Sequence, residues 1–384
     1  MEAIDFKARV AALAENVARS GAKAYVGTRL GTLHWLSGAF MPWRGAAIVT
    51  ASGACEFVYW AMDAERIRVE GCGAPVHDFF FDGFAAKIVE VLKSHGIDDG
   101  DIALDLSHPG AAQVAPGILT ASEYFELAEA LPTARLINGV DLIDDLMLIK
   151  TQAEIARLRR AAHVSDIGFR AGLDAIRTGV TENFVAGQIE SAIRNHGSVW
   201  SWAITGGTEV GSGERTAFLR GVTQQASEKR IGENEFVILD LHPMLDVYLA
   251  DTSIPVFHGQ PNAQQQALID CWEDVADTML RSLQPGRQVA DCVRDGIAVF
   301  ERHGQQDYAL PLFGHGLGTC GRTRPFINLR SKDTVQPGMV VALGTHLYRP
   351  GVGGLRLEYP VLVTDKGSEP LVRTPAKVHV IEAR

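Results

Sequence analysis

The chain has 384 residues, of which 46% are hydrophobic and 21% charged, and a formal net charge of −10. That length favours two domains over one and is ample for hydrophobic cores that need no staples. The acidic balance argues against a nucleic-acid scaffold, which needs clustered Lys and Arg, but leaves room for a small anionic substrate in a local basic pocket. Five cysteines (Cys55, Cys72, Cys271, Cys292 and Cys320) are scattered and form no C-x-x-C pair, which points to a reducing, cytoplasmic setting and to thiols acting as small buried hydrophobes. Cys320 is the one nearest a candidate site.

The N-terminal run MEAIDFKARVAALAENVARSG carries acids from its second residue and lacks the apolar core of a signal peptide. Phe6, Val10, Leu13 and Val17 recur at helical spacing and predict an amphipathic helix over 3–19. No segment reaches the roughly 18 apolar residues of a membrane span. Short apolar runs follow at Ala24–Val26, 46–49 and 56–60, the last two split by Ser52-Gly53. A helix pattern covers 84–94 and ends at Gly96; Ile102–Leu106 reads as a buried strand and 122–131 as another helix. This alternation predicts an α/β layer domain over residues 1–141.

A second domain is expected over 142–384. Thr151-x-x-Glu154 forms a capping box at the head of a long helix that Gly179 closes, and Thr181 caps a second helix running to Gly197. Strand-like runs at 235–242, 246–257, 339–347 and 355–364 then alternate with helices at 262–283 and 288–304, punctuated by Pro285-Gly286 and Pro337-Gly338. The pattern predicts an α+β domain whose antiparallel or mixed sheet carries helices on one face.

The chemistry concentrates in this half. Asp240 and Asp251 lie eleven apart in EFVILDLHPMLDVYLADTSIPVF, on two strands that can form a hairpin. His315 stands between glycines in LFGHGLGT, and Glu358 in GGLRLEYPVLVT. Residues i and i+2 of a strand share a face, so His242 joins Asp240, and His346 joins Gly344. Carboxylates with imidazoles are a ligand set for divalent Zn, Mn, Co or Fe. His258 and His303, near element ends, read as solvent-facing.

The anchors IKTQAEIARLRRAA, ENEFVILD-(x10)-D, GHGLG, QPGMVVALGTHLY and GGLRLEYPVLVT resemble, in order and spacing, the creatinase/prolidase/methionine-aminopeptidase family, which is peptidase family M24. The resemblance implies a pita-bread fold for the C-terminal domain: a curved antiparallel sheet flanked by helix pairs. It also implies the smaller N-terminal domain of creatinase and prolidase. Four of the family's five metal ligands carry over, as Asp240, Asp251, His315 and Glu358. The fifth, a glutamate, aligns with Gly344. Two assisting histidines align with Thr223 and Arg322. A shifted, imidazole-richer site is the expectation, with His242 and His346 as catalytic groups or substitute ligands for a divalent ion (Fe, Zn or Mn).

The segment FMPWRGAAIV resembles the part of creatinase that carries a substrate-carboxylate arginine, which nominates Arg44 and implies a homodimer. Arg322 and Arg324, in GRTRPF, are further candidates to clamp a carboxylate, because guanidinium offers a bidentate fork. Phe40, Trp43 and Trp202 are candidate pocket walls. The expected function is a metal-dependent hydrolase or lyase acting on a small, non-peptide, carboxylate-bearing amino-acid-like molecule. The alternatives are an Xaa-Pro dipeptidase with degraded motifs and a non-catalytic pita-bread binding protein.

Overall fold

The computed structural model describes residues 2–81, 83–106, 117–199, 207–220, 225–319 and 321–383, with the backbone alone at 218–220. The chain forms two compact units, Glu2–Met147 and Leu148–Arg384.

The first unit runs α1 (Phe6–Ser20), β1 (Ala24–Gly27), α2 (Leu30–Ser37), β2 (Gly45–Thr50), β3 (Cys55–Trp60), α3 (Ala64–Glu70), β4 (Val76–Phe79), α4 (Phe84–Ser94), β5 (Asp99–Leu104), α5 (Ala121–Ala130), β6 (Thr133–Asn138) and α6 (Val140–Leu148). The strands make one sheet in the order β4-β3-β2-β1-β5-β6, mixed in direction. One core holds Leu13, Val17, Leu36 and Phe57, and another holds Val26, Ile48, Ile88 and Leu104. Helix α6 belongs to the first core through Ile143 and Met147, so this unit ends six residues later than the boundary expected at 141.

The second unit opens with α7 (Gln152–Ala175), α8 (Glu182–Asn195) and β7 (Glu209–Ser212), followed by a 3₁₀ helix (Gly213–Arg220). Next come β8 (Glu235–Leu241), β9 (Met244–Leu245), β10 (Tyr248–Leu249), β11 (Thr252–His258), α9 (Ala263–Ser282) and α10 (Val289–Arg302). The unit closes with β12 (Ala309–Leu310), β13 (Gly314–Leu317), β14 (Gly321–Phe326), β15 (Val340–Arg349), β16 (Gly353–Thr364), β17 (Gly367–Pro370) and β18 (His379–Ile381). The main sheet has the order β14-β13-β15-β16-β11-β8-β7, antiparallel throughout that path.

The capping box forms: Thr151 Oγ1 accepts from the Glu154 N–H, and the Glu154 carboxylate accepts from the Thr151 N–H. Helix α7 ends at Ala175 rather than at Gly179, because Ile176 is already extended. Its Gly168 and Gly172 lie one turn apart against α8 and β8; a Cβ at Gly168 would stand 2.6 Å from Ile193 and Leu241, so the close approach needs glycine. The run expected as one strand over 246–257 is broken. Asp246 and Val247 have positive φ and turn the chain into the small β9–β10 ribbon before β11 begins. This second unit is a curved antiparallel sheet backed by two helix pairs, the pita-bread architecture, and the first is a smaller α/β unit.

Candidate metal centre

Adjacent strands of the main sheet deliver the candidate residues to one place. Asp240, the penultimate residue of β8, lies opposite Ser253 of β11 and Glu209 of β7. Asp251 immediately precedes β11, and His242 immediately follows β8. Glu358, on β16, pairs with Gly344 of β15, which also carries His346. His315 lies on β13, opposite Ala342 of β15. Gly314, at φ +118°, lets the chain pass Ala342, whose carbonyl oxygen would stand 1.9 Å from any Cβ there.

The side chains alternate carboxylate and imidazole. His346 Nε2 is 3.4 Å from Glu358 Oε1, and Glu358 Oε2 is 4.0 Å from His315 Nε2. His315 Nε2 is 3.4 Å from Asp251 Oδ2, and Asp251 Oδ1 is 3.3 Å from His242 Nε2. His242 Nε2 is in turn 3.5 Å from Asp240 Oδ1. The row ends on a cation: Arg356 Nη1 donates to Asp240 Oδ2 at 2.6 Å and to Glu209 Oε2 at 2.8 Å. Asp240, Asp251, His315, His346 and Glu358 are all buried. Asp240 Oδ1, Asp251 Oδ1, His315 Nε2, His346 Nε2 and Glu358 Oε2 have no hydrogen-bond partner among the described residues.

These residues fit a divalent ion on three grounds. Buried polar atoms without partners are rare and call for a missing partner. Two ligand atoms each about 2.1 Å from one tetrahedral ion stand about 3.4 Å apart, which matches four of the five separations above. Four buried carboxylates against one guanidinium leave three negative charges when the histidines are neutral, and buried charge of one sign needs a counterion. Two ligand triplets are close enough to share an ion: Asp240, His242 and Asp251; and Asp251, His315 and Glu358.

Without an ion, protons carry part of the compensation. Burial pushes the Asp240 carboxyl up to about 7, against the pull of His242 and Arg356. Burial disfavours a charged His242, yet the Asp240 and Asp251 carboxylates raise it to about 10. Burial also acts to raise Asp251, but the neighbouring His242 and His315 imidazoles hold it well below the usual carboxylate range.

Two residues of this cluster were not among the sequence candidates. Arg356 stands two before Glu358 on the same strand face, so alternation carried a signal for it. Glu209 reaches Asp240 only across the β7–β8 register, which no local pattern encodes.

The arginine candidates have partners of their own or meet the site through the backbone. Arg44 donates Nε to Glu123 Oε1 at 2.7 Å, pairs a second time through Nη2 with Glu123 Oε2, and lies 4.5 Å from the Phe84 ring centroid. Its fork is committed inside the first unit. Arg324 pairs with Asp333 at 2.6 Å. Arg322 meets the site through its backbone: its N–H lies 3.2 Å from His315 Nδ1, which also stands 3.2 Å from the Gly316 carbonyl oxygen, and Arg322 has φ +66°. His258 is fully buried rather than solvent-facing, with Nδ1 2.7 Å from the Gly232 carbonyl, because it ends β11 between Glu235 and Ile381. His303 is paired with Asp274 at 2.8 Å. Trp43 is largely exposed, and Phe40 stacks on His34 within the first unit. Trp202, Thr223 and Cys320 lie outside the described residues. Among the described residues no helix is long and apolar enough to cross a membrane.

Comparison with known proteins shows the family and agrees with the fold. The model of metallopeptidase family M24 matches residues 156–365, more than half of the chain. An Xaa-Pro dipeptidase of Pyrococcus furiosus is 28% identical over 234 residues, covering 61% of this chain and 66% of that enzyme, just under two thirds of its length. An Xaa-Pro dipeptidase of Lactobacillus helveticus is 28% identical over 267 residues, covering 69% of this chain and 71% of that one. The solved structure of an Xaa-Pro dipeptidase from Bacillus anthracis superposes with a TM-score of 0.84 over 98% of this chain and 100% of that one, at 23% identity. The chain belongs to metallopeptidase family M24.

Proposed function

We propose that the protein is a metal-dependent hydrolase of small peptides, with Xaa-Pro dipeptides as the first substrates to test. The observation that carries this reading is the buried row of carboxylates and imidazoles with unpartnered atoms directed at one another, in a chain whose relatives include Xaa-Pro dipeptidases. Asp240, Asp251, His315 and Glu358 would hold the ion. The chemistry such an ion supplies is polarisation of a carbonyl and a lower pKa for water, towards about 7.

The chain's own groups do the rest. Arg356 fixes the Asp240 carboxylate through Nη1 and shares that proton donor with Glu209. His242, between Asp240 and Asp251, is the group placed to carry a proton during amide cleavage. Its Nδ1 faces the Gly207 carbonyl at 3.4 Å, which orients the ring so that Nε2 meets the carboxylates. Burial of the cluster excludes bulk water and strengthens each of these contacts.

A small non-peptide acid held by arginines is the weaker reading, since Glu123 and Asp333 already occupy the Arg44 and Arg324 forks. The test is proline release from Ala-Pro and Gly-Pro by protein loaded separately with manganese, zinc, cobalt and iron. Turnover that disappears in Asp251→Ala is the expected result. Absence of proline release with all four metals would reject the dipeptidase reading.

A further inference from the structure

We propose that His346 binds the metal ion through Nε2, in space that Gly344 leaves open. The pair Gly344/His346 then exchanges a carboxylate ligand for an imidazole. This inference rests on the reading of the site as a metal centre and goes beyond it by assigning a ligand.

Gly344 and His346 share a face of β15, and Gly344 pairs directly with Glu358 of β16. A Cβ at residue 344 would stand 3.1 Å from His346 Cε1 and 3.2 Å from the Leu357 carbonyl oxygen. A side chain long enough to be a ligand at 344 therefore competes with the imidazole where it now lies. The glycine and the histidine act as one unit.

The tautomer points the same way. His346 Nδ1 is 3.2 Å from the Leu312 carbonyl, which only accepts, so Nδ1 carries the hydrogen. That leaves the Nε2 lone pair turned inward, buried and without a hydrogen-bond partner among the described residues, 3.4 Å from Glu358 Oε1. Two acceptors facing each other at that distance are spaced to share a positive charge, and a divalent ion fits between them. A ring nitrogen tied to a backbone carbonyl, with the other nitrogen bare, is the arrangement of a metal-ligating histidine.

The test uses cobalt(II) added to chelator-treated, full-length protein. Bound cobalt per chain and its affinity are measured by titration, and the imidazole count by X-ray absorption. His346→Ala should lower affinity by about 100-fold or more, beyond the usual loss of an outer-shell partner, and remove one imidazole. Gly344→Val, whose branched side chain needs the same space, should weaken binding with every histidine still present. The exchange Gly344→Glu with His346→Gly should restore tight binding with one imidazole fewer. Thermal melts of the metal-free variants establish that each is folded; should His346→Ala fail to fold, Gly344→Val and the exchange decide the matter. Cobalt binding in His346→Ala with unchanged affinity and imidazole count would overturn this inference and leave the metal centre standing. A wild-type chain that takes up no cobalt would overturn both.

Discussion

In the first unit Arg29 lies between two carboxylates, Asp105 and Asp144, and in the second unit Arg356 lies between Glu209 and Asp240. Both arrangements are buried, and both start from one guanidinium that bridges two acids. They end differently. Asp105 also accepts from the Thr32 hydroxyl at 2.6 Å, and the first cluster ties β1, α2, β5 and α6 together within itself. From Asp240 the second cluster runs on through His242, Asp251, His315, Glu358 and His346, with no further protein cation of fixed charge among the described residues and with five atoms, Asp240 Oδ1 included, that have no hydrogen-bond partner there. The first cluster has one carboxylate in excess of its guanidinium, supported by the Thr32 hydroxyl, and reads as a structural joint, whereas three in excess with few donors suit a ligand.

That contrast can be broken by exchanging the readouts. Asp251 belongs to both ligand triplets, so Asp251→Ala should abolish metal uptake and reduce metal-dependent turnover by about 1,000-fold or more, since a metal supplies several kcal/mol of transition-state stabilisation. The metal-free variant should also melt below the metal-free parent, because Asp251 is the carboxylate that, against the cost of burial, the His242 and His315 imidazoles hold charged, and added metal should no longer raise its melting temperature. Arg29→Ala should leave metal uptake alone. Leaving Asp105 and Asp144 buried and uncompensated should cost about 3–5 kcal/mol, read as a lower denaturation midpoint, with metal content per folded chain unchanged. If Arg29→Ala stripped the metal instead, the division into joint and ligand site would be wrong. The smallest effect is expected at Arg44. Its pair with Glu123 is partly exposed, so Arg44→Ala should cost about 1 kcal/mol or less in stability and leave KM for a dipeptide unchanged. A rise in KM of tenfold would return Arg44 to the substrate.

The four residues proposed as ligands stood out in the sequence because strand alternation and spacing survive in a linear reading. Asp240 with His242, and Gly344 with His346, need only the two-residue period. Glu358 opposite Gly344 and Glu209 opposite Asp240 are facts of register. The family spacing supplied the first, and nothing local supplied the second. The partners of the arginine candidates were hidden for a related reason: a sequence displays a guanidinium but not the carboxylate beside it, here 79 residues away for Arg44. Helix α2, in LGTLHWLS, escaped notice because almost every residue is buried and it has no polar face to set a helical period. The break at Asp246-Val247 was hidden because Val rarely adopts positive φ.

The central claim is that this cluster is a metal centre, and the direct test is the metal content of the chain after chelation, reloading and dialysis, followed alongside its melting temperature. The account predicts at least one divalent ion per chain and a melting temperature that rises with metal, by about 2.7 kcal/mol of added stability at 100 times the dissociation constant, both lost in Asp251→Ala. Metal content well below one ion per chain, with a melting curve indifferent to added metal, would contradict it.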